Sequence, residues 1–108
     1  MQAESGSPIV VMITAGSRAE AESLAEMLVT RRLAACVQIL PEVLSIYRWQ
    51  GKVERNSEHL LYVKTTHARF AELEREVKAA HSYDTPEVIA VPVVAASEHY
   101  LKWLRVNV

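Results

Sequence analysis

The segment from His81 to Glu87, HSYDTPE, gathers an imidazole, two carboxylates and a phenol within seven residues. Such side chains can bind a metal ion, transfer protons or hydrogen-bond a ligand. The residues before the segment are typical of a helix and those after it are typical of a strand. A solvated loop between two such elements would use the same residue types, so a metal site, a catalytic site and a plain loop all stay open here.

Elsewhere in the chain, the sequence has no strong motif for a metal site or a catalytic site. A metal site needs three or four converging nitrogen, sulfur or oxygen ligands, yet the one cysteine, Cys36, and the four histidines form no CxxC or HxxxH pair within an element. Cys36 lies in the apolar run LAACV, where a small buried side chain is the simpler interpretation. A catalytic thiol would need an electropositive, partly exposed setting. We therefore expect no enzyme activity.

The bulk composition indicates one globular domain. The chain has 108 residues, 50 % of them apolar, and a formal charge of −1 with scattered basic residues, which disfavours nucleic-acid binding. No apolar run approaches the roughly 20 residues that span a bilayer. A single cysteine fits a reducing compartment, and we expect a cytoplasmic protein. We expect residues 1–8 to form a disordered N-terminal tail and residues 9–108 to form a single domain.

The first half of the chain alternates strand and helix. Residues 9–15, IVVMITA, predict a buried strand. Ser17 with Glu20 has the pattern of a capping box and begins an amphipathic helix that ends near Arg32. Residues 33–48 predict a strand with a bulge or bend at Pro41-Glu42, because proline cannot donate to a ladder.

The second half predicts a hairpin and two further strand–helix units. Gln50-Gly51 is the expected hairpin turn within residues 45–54, and a strand follows over 59–66. A helix then begins near Thr66, a strand covers 88–96 with Pro92 at an edge or bulge, and a short helix capped by Ser97 closes the chain. The order predicts an α+β, ferredoxin-like βαββαβ fold with one sheet and a short C-terminal helix.

The first strand is apolar on both of its faces, since Ile9, Val11 and Ile13 alternate with Val10 and Met12. Two helices cover only one face of a four-stranded sheet. We therefore expect the other face to pack against further copies of the chain, because apolar patches of that size are rare on monomers.

Five stretches, in matching order and spacing, resemble the CutA divalent-cation tolerance family over roughly residues 9–106. These stretches are RRLAACVQI (31–39), SIYRWQGKVE (45–54), LLYVKTT (60–66), HSYDTPEVIAVPV (81–93) and YLKWL (100–104). The resemblance implies a homotrimer with long second and third strands and a likeness to the PII signalling proteins. It also implies a response to divalent metal ions, copper among them.

The resemblance carries a metal site over only in part. Sites proposed for the family use a cysteine in the first strand and adjacent histidines after the second helix, and the matching positions here are Ile13, Ala80 and His81. Only His81 keeps a ligand. No cofactor is therefore expected to be required, and weak binding of a divalent metal such as copper has His81 and Cys36 as its two candidates.

The family also implies a ligand cleft between subunits, in which PII-like trimers bind small anions or nucleotides. Matching positions are Tyr47, Trp49, Lys64, Tyr83 and Glu87, for which interface packing is the alternative role. The predicted function is divalent-cation tolerance by a non-enzymatic homotrimer, with a PII-like small-ligand sensor or signalling adaptor as the alternative. Expected partners are copies of the chain and either a small ligand or a metal ion, with neither nucleic acid nor membrane.

Overall fold

The elements follow the predicted order, and the computed structural model describes residues 6–108 of the chain. A mixed α+β fold is formed by four antiparallel strands and three α-helices. The elements are β1 (Pro8–Ala15), α1 (Arg18–Thr30), β2 (Cys36–Trp49), β3 (Lys52–Thr66), α2 (Phe70–Ala80), β4 (Val88–Pro92) and α3 (Glu98–Val106), with a short 3-10 helix, His67–Arg69, leading into α2.

The strands lie in the order β2-β3-β1-β4, so that β1 pairs with β3 on one side and with β4 on the other. This is the arrangement expected for a split βαβ unit. Helices α1 and α2 pack on one face, where alternate strand residues meet apolar helix residues and burial removes their surface from water. The centre of this core is formed by Val11, Ile13, Leu24, Leu28, Leu61, Val63, Leu73 and Val77.

The opposite face of the sheet is apolar as well and is covered only at one end. There α3 packs near β1, and Leu104 and Val10 are both buried. Along the rest of this face, Met12 pairs in register with Tyr62 on β3 and with Ile89 on β4. Ile89 remains 51 % exposed. The two-sided apolar pattern predicted for the first strand is confirmed.

Strands β2 and β3 form a long hairpin that extends beyond the rest of the sheet. The register shifts between Leu40 and Val43, which confirms the bulge predicted at Pro41-Glu42. At the tip, Gln50 and Gly51 both have positive φ, 50° and 79°, which is the backbone of a type I′ turn and confirms the predicted hairpin. Helix α3 begins directly after Ser97, as expected, but the Ser97 side chain forms no capping hydrogen bond.

The predicted separation between the hairpin at 45–54 and the strand at 59–66 is wrong, because β3 runs without a break from Lys52 to Thr66. The polar residues 54–58 have low strand propensity, yet their backbone pairs with β2 as far as Trp49 and Lys52 at the turn. Residues 55–57 are exposed on the projecting hairpin, where polar side chains are tolerated, whereas Glu58 is buried. Pairing in register has overridden local propensity.

Other boundaries also differ from the predicted ones. Helix α2 begins at Phe70 rather than near Thr66, because the 3-10 turn comes first. Strand β4 stops at Pro92, whose ring removes the donor needed to continue the ladder. Of the predicted tail, residues 1–5 lie outside the described residues, whereas Pro8 belongs to β1 and Ser7 accepts a hydrogen bond from the His67 N–H.

None of the helices within residues 6–108 has the length and hydrophobicity required to cross a bilayer.

We expect Gly51→Ala to lower the free energy of unfolding by about 1 kcal/mol, because a Cβ disfavours positive φ. Steric crowding contributes nothing, since an added Cβ would meet no atom within 4 Å. Gly6→Ala is the control, because its Cβ would meet only Arg105 Nε at 3.8 Å. Urea unfolding measures both variants, and equal stabilities would contradict the role of the turn.

Candidate functional site

The loop that follows α2 is held to the sheet through His81, whose imidazole is buried. Its Nε2 lies 2.7 Å from the carbonyl oxygen of Thr14, and its Nδ1 accepts a hydrogen bond of 3.0 Å from the backbone N–H of Tyr83. The acceptor role of Nδ1 places the proton on Nε2, which donates to Thr14. Both ring nitrogens of His81 are therefore occupied by backbone groups.

Ser82, the next residue, is tied to helix α1 through Glu20. The Ser82 N–H donates to Glu20 Oε2 at 2.8 Å, and its hydroxyl donates to Oε1 at 3.0 Å. Burial by itself would raise the pKa of Glu20, but these hydrogen bonds, together with the nearby His81 and the Gly16 backbone, hold the pKa below its ordinary value. The predicted cap at Ser17 forms, with Ser17 Oγ accepting from the Glu20 N–H. The Glu20 carboxylate binds the Ser82 loop.

Tyr83 is the third residue, after His81 and Ser82, that attaches the loop to the rest of the fold. Its hydroxyl donates to Glu58 Oε2 at 2.9 Å, and its ring packs against His81 with centroids 4.7 Å apart. Burial, followed by the hydrogen bond and the charge of Glu58, raises the pKa of Tyr83 to about 12. Gly16 permits this placement, because a Cβ there would lie 3.0 Å from the Tyr83 hydroxyl oxygen.

Tyr83 and Glu58 form one wall of a cavity of about 500 Å³ between the loop and the β2–β3 hairpin. The volume lies within the range of small-molecule sites, about 300–1,000 Å³. Three aromatic side chains, three carboxylates and several hydroxyl groups line it. The lining residues are Thr14, Ser45, Ile46, Tyr47, Trp49, Glu58, Tyr83, Asp84, Thr85 and Glu87.

The cavity is acidic, because its lining includes Glu58, Asp84 and Glu87 and no lysine, arginine or histidine. Glu58 is only 7 % exposed. Burial, with a further contribution from the charge of Glu58, raises the pKa of Glu87 above its ordinary value. The lining therefore favours a positively charged occupant over an anion.

Four of the five residues that the sequence assigned to a cleft or interface line this cavity, namely Tyr47, Trp49, Tyr83 and Glu87. Lys64 lies elsewhere. Its ammonium stands 5.6 Å from the ring centroid of Tyr100 and lines a separate depression of about 200 Å³ beneath α3. The Lys64 ammonium, which was expected to attract an anion, is thus absent from the cavity lining. That the other four residues bind a ligand stays a prediction.

The two metal candidates do not come together. Cys36 on β2 pairs with Lys64 on β3, and Lys64 pairs with Val10 on β1. His81 bonds Thr14, which is four residues further along β1. Roughly 13 Å of strand therefore separates the two candidates along β1. Within residues 6–108 no group of three or more histidine, cysteine or acidic side chains could hold a metal ion. A metal at His81 would first have to displace a backbone hydrogen bond.

Sequence reasoning missed Glu58 and the second role of Glu20. Glu58 was assigned to a polar flank, although counting back by twos from Tyr62 along β3 places it on the same face of the sheet. That periodicity was the available signal. Nothing local to Glu20 could reveal its contact with Ser82, which is 62 residues away along the chain.

The fold and the cavity define a class: a four-stranded antiparallel sheet with helices on one face, a long projecting hairpin and an acidic, aromatic cavity between the hairpin and the loop after α2. The family model described as "CutA1 divalent ion tolerance protein" matches residues 9–107. The chain therefore belongs to the CutA1 family.

Curated relatives agree with this assignment. The Divalent-cation tolerance protein CutA of Thermus thermophilus is 50 % identical over 98 residues, which cover 91 % of this chain and 95 % of that one. Protein CutA, chloroplastic, of Arabidopsis thaliana is 45 % identical over 97 residues, covering 90 % of this chain. The match spans only 53 % of the length of that plant relative.

Solved structures have the same fold. The divalent cation tolerance protein of Thermus thermophilus superposes with a TM-score of 0.91 at 49 % identity, covering 93 % of this chain and 97 % of that one. The Periplasmic divalent cation tolerance protein CutA of Archaeoglobus fulgidus gives a TM-score of 0.90 at 41 % identity, with the same coverage of both chains.

We expect Glu20→Gln to lower the free energy of unfolding at pH 7 by about 1–2 kcal/mol, since the amide has one acceptor oxygen in place of two. One Ser82 hydrogen bond therefore loses its acceptor, and the other loses its charge assistance. The folded-state pKa of Glu20 is lowered, so its carboxylate stabilises the fold above the ordinary value of 4.5. This contribution is lost as the pH falls through the folded-state pKa. The difference from wild type should therefore shrink in acid.

Denaturant unfolding across the pH range measures this effect. Glu26→Gln, at an exposed position on the same helix, is the control and should match wild type throughout. A Glu20→Gln difference that stayed constant from neutral to acid pH would contradict the charged hydrogen bonds as its cause.

Proposed function

We propose that the protein acts in divalent-cation tolerance as a non-enzymatic homotrimer. The observation that carries the first part is membership of the CutA1 divalent ion tolerance family over residues 9–107. The Divalent-cation tolerance protein CutA of Thermus thermophilus is 50 % identical over 95 % of its own length. Copper is the ion to test first, because the family resemblance implies it.

Self-association is supported by apolar surface that the single chain leaves uncovered. On the projecting hairpin, Leu44, Ile46 and Val53 are each more than half exposed. They alternate on one face of the β2–β3 ladder, where neither α1 nor α2 reaches. The free face of the sheet adds Tyr62 and Ile89, and a surface of this kind is typical of a protein interface. Three copies is the number that the family resemblance implies.

A non-enzymatic role is supported by the setting of the reactive groups. Cys36 is partly buried in a strand. His81, the imidazole in the loop after α2, has both nitrogens bonded to backbone groups. A nucleophile needs an adjacent base, and His81 is not free to act as one.

A second candidate function is small-ligand sensing, and the acidic cavity of about 500 Å³ is the observation that favours it. Its hairpin wall includes Tyr47 and Trp49, next to the apolar hairpin surface on which copies would meet. A ligand at that position would contact a subunit boundary and could alter the association. We place both functions in the cytoplasm, which the single cysteine supports.

Light scattering tests the assembly. We expect the wild-type mass to be three times the 12.1 kDa of one chain. Ile46→Glu places a charge on the hairpin surface and should yield smaller species, because an unpaired charge in an interface must be desolvated. Val29→Glu introduces the same charge at an exposed position on α1 and should leave the mass unchanged. A wild-type monomer at all concentrations would refute the trimer.

Growth in copper tests the tolerance function. We expect this chain to restore growth at graded copper concentrations to a bacterial strain that lacks its own family member. The Ile46→Glu variant should restore less growth if the assembly is the active form, whereas Val29→Glu should act as wild type. Growth no better than with an empty vector, despite normal expression, would overturn the proposed function.

A further inference from the structure

We propose that the acidic cavity binds a small organic cation, a protonated amine or a guanidinium compound. This inference rests on the second candidate function, ligand sensing, and names the chemical class of the ligand. It departs from the expectation of an anion or nucleotide, since the lining carries three carboxylates and no basic side chain. A phosphate group there would be repelled by these carboxylates and would meet no basic side chain in the lining.

The unbalanced charge of Glu58 carries the proposal. Glu58 as a residue is only 7 % exposed, and it lines the cavity. Its one hydrogen bond within residues 6–108 comes from the neutral hydroxyl of Tyr83. No lysine, arginine or histidine in that range forms an ion pair with it. A buried carboxylate without a counter-charge is costly, and a cation in the cavity would remove that cost.

The aromatic side chains indicate an organic cation. Tyr47, Trp49 and Tyr83 line the same space, and aromatic faces attract ammonium and guanidinium groups through the ring quadrupole. They also cover the apolar part of such a ligand. Tyr47 is held in place by a hydrogen bond from the Asn56 amide, across the hairpin, so its ring is fixed before a ligand arrives.

The spacing of the carboxylates argues against a bare metal ion at this position. A divalent ion needs several oxygen ligands at about 2.0–2.6 Å from one point. Glu58, Asp84 and Glu87 do not converge in that way, because no group of three such side chains in residues 6–108 could hold a metal. Carboxylates distributed around a cavity of about 500 Å³ suit a larger cation with donors that point in several directions.

Three probes of matched size separate charge from shape: n-butylammonium, n-butanol and butyrate. The readout is the NMR signal of the indole N–H of Trp49, assigned by its persistence in a Trp103→Phe variant, since the chain has two tryptophans. We expect saturable shifts with butylammonium at a Kd of about 1 mM, typical of so small a ligand. Butanol and butyrate should give no saturable shift.

Glu58→Gln keeps the shape and an acceptor for the Tyr83 hydroxyl while it removes the charge. We expect it to weaken butylammonium binding about tenfold, which is the loss of one charged hydrogen bond. Glu54→Gln removes a charge from the same strand outside the cavity lining and should bind as wild type. Should Glu58→Gln fail to fold, Asp84→Asn in the exposed loop serves instead, with a severalfold weakening expected.

Three results would each overturn the inference: no saturation with butylammonium or butylguanidinium up to about 50 mM, far above the expected Kd; equal binding of butyrate; or equal binding by Glu58→Gln and Glu54→Gln. Mass and copper tolerance are measured on the same wild-type protein. If cation binding fails while both of these hold, only the ligand class is refuted, and the proposed tolerance function stands.

Discussion

Helices α1 and α2 lie on one face of a sheet that has two apolar faces. This constraint governs the rest of the molecule. The β1–α1–β2 and β3–α2–β4 connections both run over the same side of the sheet. The apolar stripes of α1 and α2 are therefore buried together, and the opposite face of the sheet stays free. The short helix α3 covers only the end of that face near Val10 and Leu104. The remaining apolar area and the projecting hairpin must be exposed to water or be covered by further copies of the chain.

The same arrangement forms the cavity. The loop after α2 crosses toward β1 and β3 and also contacts the first turn of α1. His81, Ser82 and Tyr83 each bind a different element there, through Thr14, Glu20 and Glu58. The space between this loop and the hairpin is lined by aromatic and acidic side chains, Tyr83 and Glu58 among them. Its chemistry follows from the way the loop is held.

His81 illustrates how a side chain changes its meaning with context. In the sequence it is the one surviving match to a metal ligand of the family. In the fold its two nitrogens satisfy a backbone carbonyl and a backbone N–H, which buried polar groups require. The imidazole stabilises the loop, whereas the carboxylate of Glu58, which has no ion-pair partner within residues 6–108, faces the cavity.

Local features of the sequence determined much of this protein. The alternation in residues 9–15, the cap at Ser17, the bulge at Pro41-Glu42 and the turn at Gln50-Gly51 depend on neighbouring residues alone, so they were predictable. The continuity of β3 through residues 54–58 was not, because pairing with β2 overrides the low strand propensity of these residues. Only the tertiary structure decided that Lys64 lies apart from the cavity, that Glu20 binds Ser82 and that Glu58 is buried. Those facts depend on contacts between residues far apart in the chain, which register and crossover geometry bring together and local sequence does not encode.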